Sequence, residues 1–287
     1  MAESPSHRFG QIIGELLELM LHQPLRKVAD KHGLYLDYKH PRSARDNKSK
    51  VTWRDSKGND HDLDYVLERN GSETKRGIPK AFVETAWRRY TKHSRNKAQE
   101  MQGAIGPLAE TYRDCHPFLG VVLAGVFTSG STQQLRSHGF SVLYLPYLSI
   151  VEAFKAVSID ARFDEDTSDK EVQGKVEAYQ RLSADERLAI VDKLQELHRN
   201  DFETFIQSLE VSLGRKIERI IILPLHGTGC EMTSVVDAIA FVEKFAVEQA
   251  ALPFVRFEVQ VRYGNGDKIA GEFSEKGEAI AFLKSLV

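Results

Sequence analysis

Apolar residues recur at helical spacing near the start of the chain, which predicts an amphipathic helix over residues 7–30 with Ser6 as its cap. The apolar stripe consists of Phe9, Ile12, Ile13, Leu16, Leu17 and Met20. Between residues 34 and 70 the pattern changes to short alternating segments with polar turns such as "SKGN", which predicts strands. The next segment, "KAFVETAW", is predicted to be a short and mostly buried strand.

Unbroken apolar runs mark the next part of the chain. "FLGVVLAGVF" and "FSVLYLPY" flank a short helical segment, and strands of this kind are typical of parallel pairs that are covered on both faces. We therefore expect an α/β core over residues 1–147, followed by a helical segment over residues 148–213. Residues 214–287 read as strand, helix, hairpin and helix, with "YGNGD" as the hairpin turn, and predict a small α/β subdomain.

Composition narrows the class of protein. The 287 residues are 41% hydrophobic and 28% charged, with a net charge of −2, which is typical of a globular protein and excludes a generic polycation. Apolar runs all stay below about 18 residues, so no transmembrane helix or membrane partner is expected. The start "MAESPSHRFG" does not resemble a secretory signal, and the two cysteines form no metal or disulfide motif. A cytoplasmic location is expected.

Positive charge is concentrated in two stretches. Residues 75–97 contain eight Lys or Arg and one acid, and residues 39–50 contain five Lys or Arg and one acid. Such patches on a near-neutral protein either bind phosphate or form a solvated face. The candidate nucleic-acid contacts are Arg88, Arg89, Lys92, His93, Arg95 and Lys97.

Two acidic strands carry the candidate chemistry. In "HDLDYVLE" a period of two places Asp62, Asp64, Val66 and Glu68 on one face, and in "KAFVETAW" Glu84 shares a face with Ala86. If the strands are neighbours, Asp64 and Glu84 meet at one end of the sheet. Two carboxylates suit Mg²⁺, which can activate water and neutralise charge that develops on a phosphate.

This order of elements resembles the PD-(D/E)XK nuclease superfamily over residues 7–147, from the first helix through "DLDYVL", "FVETAW" and "FLGVVLAG" to "FSVLYLPY". The resemblance implies a restriction endonuclease-like core, a mixed central sheet flanked by helices. It implies Asp64 and Glu84 as magnesium ligands, with Asp62 as a rival. Either Glu15 or Glu18 would be the acid that some members carry on the helix.

The superfamily places a lysine two residues after the second acid, and this chain has Ala86 there. Three interpretations stay open. Ala86 replaces a natural lysine and disables the site, or the lysine role has moved to Lys92, Lys97 or Gln102, or the site does not cleave DNA.

The sequence hypothesis is a Mg²⁺-dependent endonuclease for double-stranded DNA, of the type II restriction kind or a related defence nuclease. A homodimer is expected because cutting both strands of a symmetric site needs two active sites related by a two-fold axis. The C-terminal subdomain would then serve DNA recognition or dimerisation. The alternatives are a non-catalytic DNA-binding protein on a decayed nuclease fold and a scaffold protein with structural carboxylates.

Overall fold

The computed structural model describes residues 4–90, 94–225, 227–246 and 253–286. The chain divides into two compact units, of which the first comprises Met1–Thr111 and Phe118–Glu210. The second comprises Tyr112–Pro117 and Val211–Val287. The helical segment predicted over residues 148–213 therefore belongs to the first unit as far as Glu210.

The first helix, α1 (Pro5–Lys31), carries the predicted apolar stripe on its buried side. It begins two residues earlier than predicted because Ser4, rather than Ser6, is the cap and accepts a hydrogen bond from the His7 amide at 3.3 Å. Pro5 follows at the first helical position, where its missing N–H costs no hydrogen bond.

The remaining helices of the first unit follow the strands that carry the candidate site. They are α2 (Ser94–Thr111), α3 (Ser129–Ser137), α4 (Tyr147–Phe154), α5 (Asp169–Gln180), α6 (Ala184–Leu197) and α7 (Arg199–Leu213). Across the described ranges, the helices lack the combination of length and apolarity that crossing a lipid bilayer requires.

The strands of the first unit form a mixed sheet and a separate hairpin. They are β1 (Leu34–Tyr38), β2 (Val51–Arg54), β3 (Asp60–Leu63), β4 (Tyr65–Arg69), β5 (Ile78–Arg88), β6 (Phe118–Gly125) and β7 (Ser141–Pro146). The central sheet has the order β1-β4-β5-β6-β7, in which β1, β4 and β5 are antiparallel neighbours. β5, β6 and β7 run parallel, and the pairing of β6 with β7 confirms the prediction from their unbroken apolar runs. Helices α1, α2 and α4 pack against this sheet, so the unit is a mixed α/β fold.

The prediction of one continuous strand in "HDLDYVLE" is wrong. β3 ends at Leu63 and pairs with β2, whereas β4 begins at Tyr65 and joins the central sheet. Asp64 lies at the interruption, where its side chain accepts hydrogen bonds from Thr85 on β5 and so brings the chain to the central sheet. Asp62 and Glu68 therefore lie in different sheets rather than on one face of one strand.

The second unit is a four-stranded antiparallel sheet with helices packed on one face. Its elements are β8 (Ile217–Pro224), β9 (Cys230–Met232), α8 (Val235–Lys244), β10 (Phe257–Tyr263), β11 (Lys268–Phe273) and α9 (Lys276–Ser285). The sheet order is β11-β10-β8-β9, and β9 is an edge strand that the sequence pattern did not predict. The unit has its own apolar core, in which alternate residues of β8 and β10 pack against Ala238 and Val242 of α8 and Phe282 of α9.

Candidate active site

Strand register places Asp64 next to Glu84. Tyr65 of β4 lies opposite Val83 of β5, so the next position outward on each strand brings Asp64 beside Glu84. The Asp64 backbone N–H donates a hydrogen bond to the Glu84 carboxylate. The two acids that the sequence singled out are therefore neighbours at one end of the β4–β5 pair.

The Asp64 carboxylate is held in a fixed orientation. Its Oδ2 accepts hydrogen bonds from the Thr85 backbone N–H and from Thr85 Oγ1, each at 2.7 Å. Both bonds end on Oδ2, so Thr85 does not use the other carboxylate oxygen, Oδ1. A carboxylate anchored through one oxygen is pre-organised to offer the other oxygen to a ligand.

Glu18 of α1 is electrostatically coupled to the pair. Tyr65 Oη donates to the Glu18 backbone carbonyl at 2.7 Å, which fixes this turn of α1 against β4. The pKa of the Glu18 carboxyl is raised to about 7, mainly by burial and then by the charge of Asp64, and the charge of Lys39 partly opposes this increase.

The pKa values of the two strand acids are also raised. For Glu84, burial and then the neighbouring Asp64 charge raise the pKa well above its ordinary value. For Asp64, burial raises the pKa and the Thr85 hydrogen bonds only partly oppose the increase. Acids that repel one another in a poorly solvated site lose this penalty when a cation binds, and perturbed groups of this kind cluster at functional sites.

Two lysines border the carboxylates. Lys97 of α2 pairs with Glu100 at 3.4 Å, and its charge partly offsets the burial that raises the pKa of Asp64 and Glu84. Lys39 directly follows β1, where Tyr38 lies opposite Tyr65, so Lys39 is the next position beside Asp64. Extended by one position beyond the ends of β1 and β4, the registers place Lys39 beside Asp64 and Asp64 beside Glu84.

Sequence reasoning missed Lys39 as a site residue. The available signal was its place at the start of the basic stretch over residues 39–50, directly after an alternating strand. Its assignment to the site required the β1–β4 register, which the local pattern does not contain.

Two other predicted metal ligands lie apart from the pair. Asp62 is exposed on β3, where it binds Lys50 Nζ at 2.7 Å and Thr52 Oγ1 at 2.6 Å. Glu15 is one turn before Glu18 on α1, is about half exposed, and pairs with Arg8 at 3.6 Å. Glu18 is thus the helix acid that the fold places near Asp64.

Two of the predicted phosphate contacts, Arg88 and Arg89, bind groups of the protein itself. Arg88 donates to the Trp87 carbonyl at 2.9 Å and lies 3.4 Å from Glu100. Arg89 donates through Nε to the Phe163 carbonyl at 2.6 Å, and its guanidinium lies 3.9 Å from the Tyr147 ring centroid. These contacts give Arg89 a structural role.

Three further predicted contacts have no structural description. Lys92 and His93 lie outside the described residues, as does the side chain of Arg95.

Ala86 is a packing residue in this fold. It is 5% exposed and lies opposite the buried Leu123 of β6, on the same face of β5 as Glu84. Gln102, another candidate for the lysine role, accepts a hydrogen bond from Gln134 Nε2 at 2.7 Å. Of the lysine candidates with described side chains, Lys97 acts electrostatically on both strand acids.

The carboxylate pair fits a magnesium ion. Mg²⁺ prefers hard oxygen donors, keeps several waters and commonly uses only one or two protein carboxylates. In the described part of the chain, His, Cys, Asp and Glu side chains form no cluster of three that could hold a metal. If Mg²⁺ binds at this pair, Asp64 and Glu84 would be its protein ligands and water would complete the coordination.

Comparisons of the chain with protein-family models, curated proteins and solved structures gave no match.

Proposed function

We propose that the chain is a Mg²⁺-dependent endonuclease for double-stranded DNA, a type II restriction enzyme or a related defence nuclease with a restriction endonuclease-like core. The observation that carries the proposal is the side-by-side placement of Asp64 and Glu84, with raised carboxyl pKa values and a lysine on either side. Such a site attracts a divalent cation, and the flanking lysines suit a substrate with several phosphates.

Each residue has a role that follows from its position. Asp64 and Glu84 would hold Mg²⁺, which supplies an activated water and neutralises charge on the reacting phosphate. Lys97 would bind a non-bridging phosphate oxygen and take the role for which Ala86 has no functional group. Lys39, exposed at the other end of the row, would bind a neighbouring phosphate.

The direct test is cleavage of supercoiled plasmid DNA in Mg²⁺ and in EDTA. We expect nicked or linear products from the wild-type chain in Mg²⁺ alone, and no increase with Ala86→Lys, because a lysine at this buried position overpacks the sheet. Cleavage by Ala86→Lys alone would place the lysine role at position 86 and contradict the assignment to Lys97. No cleavage by either chain on several DNAs would refute the nuclease.

A non-catalytic DNA-binding protein is the second candidate. The buried methyl group of Ala86 and the pairing of Lys97 with Glu100 favour it, because both leave less positive charge for a reacting phosphate. This protein would bind DNA in a salt-dependent way, and Glu84→Gln would leave that binding unchanged with or without Mg²⁺.

The homodimer expected for cleavage of both strands is part of the proposal. Sedimentation velocity of the full chain tests it, since a monomer at the concentrations that give double-strand cuts contradicts it.

A further inference from the structure

Like charges face one another at both ends of the second unit's sheet. At one end, Arg262 of β10 lies opposite Arg219 of β8 and opposite Lys268 of β11, so three cations form a row across three strands. Toward the other end, Glu258 of β10 lies opposite Glu272 of β11. Like charges directly opposite in a sheet are destabilising.

The acidic pair is neutralised within the unit. Arg256 lies 2.6 Å from a Glu258 oxygen and 3.4 Å from a Glu272 oxygen, so one guanidinium bridges the two carboxylates. This end of the sheet needs no external partner.

The cationic row is only partly neutralised. Arg219 pairs with Glu231 of the edge strand β9 at 3.2 Å. Among the residues that the structure describes, Arg262 and Lys268 have no carboxylate partner, and Arg262 Nε donates to Gln260 Oε1 at 3.2 Å. Asp267, beside Lys268 in sequence, pairs instead with Arg215 at 3.0 Å.

The surrounding charges leave this end of the sheet positive. Lys216 and Glu218 are exposed close to Arg219 in sequence. In the row itself three cations, Arg219, Arg262 and Lys268, meet one acid, Glu231, so a positive surplus remains at the cationic row.

The row lies on the face of the sheet opposite the helices. Val259 and Val261 belong to the apolar core with α8 and α9, so the alternating residues Gln260 and Arg262 point to the other face. Arg262 and Lys268 are exposed there. Adjacent strands are about 4.8 Å apart, so the row extends over about 10 Å and can meet two successive phosphates of one nucleic-acid strand.

We propose that this face of the second unit, at Arg219, Arg262 and Lys268, binds the phosphodiester backbone of duplex DNA. An external polyanion would relieve the repulsion that the unit leaves uncompensated, and the planar guanidinium groups match phosphate oxygens. The choice of duplex DNA as the polyanion rests on the proposed function. The surface itself is independent of Asp64 and Glu84.

The test measures binding of the full chain to a labelled 30-base-pair duplex by fluorescence anisotropy in EDTA, over a series of salt concentrations. We expect the double variant Arg262→Gln/Lys268→Gln to weaken binding on the order of tenfold or more at 0.1 M salt. The slope of log affinity against log salt should fall by about 1.8, since two phosphate contacts are lost. The matched control is Arg256→Gln, which removes a cation from the neutralised end, and Arg262→Lys should retain most binding.

Thermal unfolding separates this role from a structural one. The double variant should be at least as stable as the wild type, because it removes cross-strand repulsion. An unchanged salt slope, or an equal change in Arg256→Gln, overturns the proposal. The double variant is also tested with single-stranded RNA and with polyglutamate. If it loses binding to either of these polyanions but still binds the duplex as the wild type does, the assignment to DNA is overturned.

The test also distinguishes this surface from the nuclease site. Intact DNA cleavage with an unchanged salt slope refutes the surface alone, whereas a lowered slope in a chain that never cuts DNA refutes the nuclease alone.

Discussion

Two groups of acids lie in the same central sheet of the first unit, and they differ in the cations that surround them. Asp37 of β1 and Glu68 of β4 are fully buried, and the buried Arg42 contacts both, with Nη1 2.7 Å from Asp37. Arg45 adds a contact to Asp37 at 3.1 Å. At the end of β4–β5, the charge of Lys97 lowers the pKa of both Asp64 and Glu84, yet burial keeps both carboxyl pKa values raised.

The difference shows how the same residue type serves two purposes. A buried carboxylate with a matched guanidinium has its charge and its hydrogen bonds satisfied within the protein, which holds the sheet together. The Glu68 carboxylate also accepts the Gly77 N–H at 2.6 Å, so its oxygens are committed to structure. Asp64 and Glu84 keep an electrostatic penalty that an external cation can remove, which is the property expected of a ligand-binding site.

The largest expected effect on stability comes from breaking the satisfied group. Glu68→Gln leaves the buried Arg42 short of a counter-charge and should lower the free energy of unfolding by about 3–5 kcal/mol. The matched control, Glu84→Gln, removes a charge that burial and Asp64 already disfavour, so it should not destabilise the fold. Urea denaturation at pH 8 measures both. Equal destabilisation by the two variants would contradict the view that Glu68 is structural and Glu84 is not.

The next effect concerns Lys97. Lys97→Ala should reduce the rate of Mg²⁺-dependent DNA cleavage by about 100- to 1000-fold, because it removes a positive charge that faces both strand acids. Lys97→Arg should retain part of the activity. The control is Lys57→Ala, an exposed lysine in the β2–β3 turn. A wild-type rate for Lys97→Ala would exclude it from the lysine role.

The smallest effect is a pH dependence at Glu18. Its pKa is raised to about 7 in the folded chain, so its contribution to stability is complete below about pH 4.5 and is lost as the pH rises through 7. The stability of Glu18→Gln relative to the wild type should therefore increase between these pH values. At pH 8 its free energy of unfolding should exceed that of the wild type by about 1–2 kcal/mol, because solvent screening reduces the full effect of the pKa shift. Thermal unfolding from pH 4 to 8 checks this, and a gain that is greatest at pH 4 would contradict the sign.

Much of the fold follows from local pattern. The apolar stripe of α1 and the unbroken runs of β6 and β7 report burial directly, because a helix shows a period of 3.6 and a covered parallel strand shows none. The choice of Asp64 and Glu84 also needed only two strands and the assumption that they pair.

What the sequence could not supply depends on contacts between distant segments. The interruption at Asp64 is associated with hydrogen bonds from Thr85, 21 residues later. The structural role of Glu68 depends on Arg42, 26 residues earlier, and the site role of Lys39 depends on strand register. Alternation within "HDLDYVLE" contains none of this information, so it placed Asp62 and Glu68 on one face with Asp64.

The most direct measurement is the rate of Mg²⁺-dependent plasmid cleavage by the wild-type chain and by Glu84→Gln, with folding of both verified by circular dichroism. If Asp64 and Glu84 form a metal site for DNA cleavage, the wild type cuts, and the folded Glu84→Gln chain loses at least about 1000-fold in rate. A folded Glu84→Gln chain that cuts DNA at the wild-type rate would show that the carboxylate pair is not the active site.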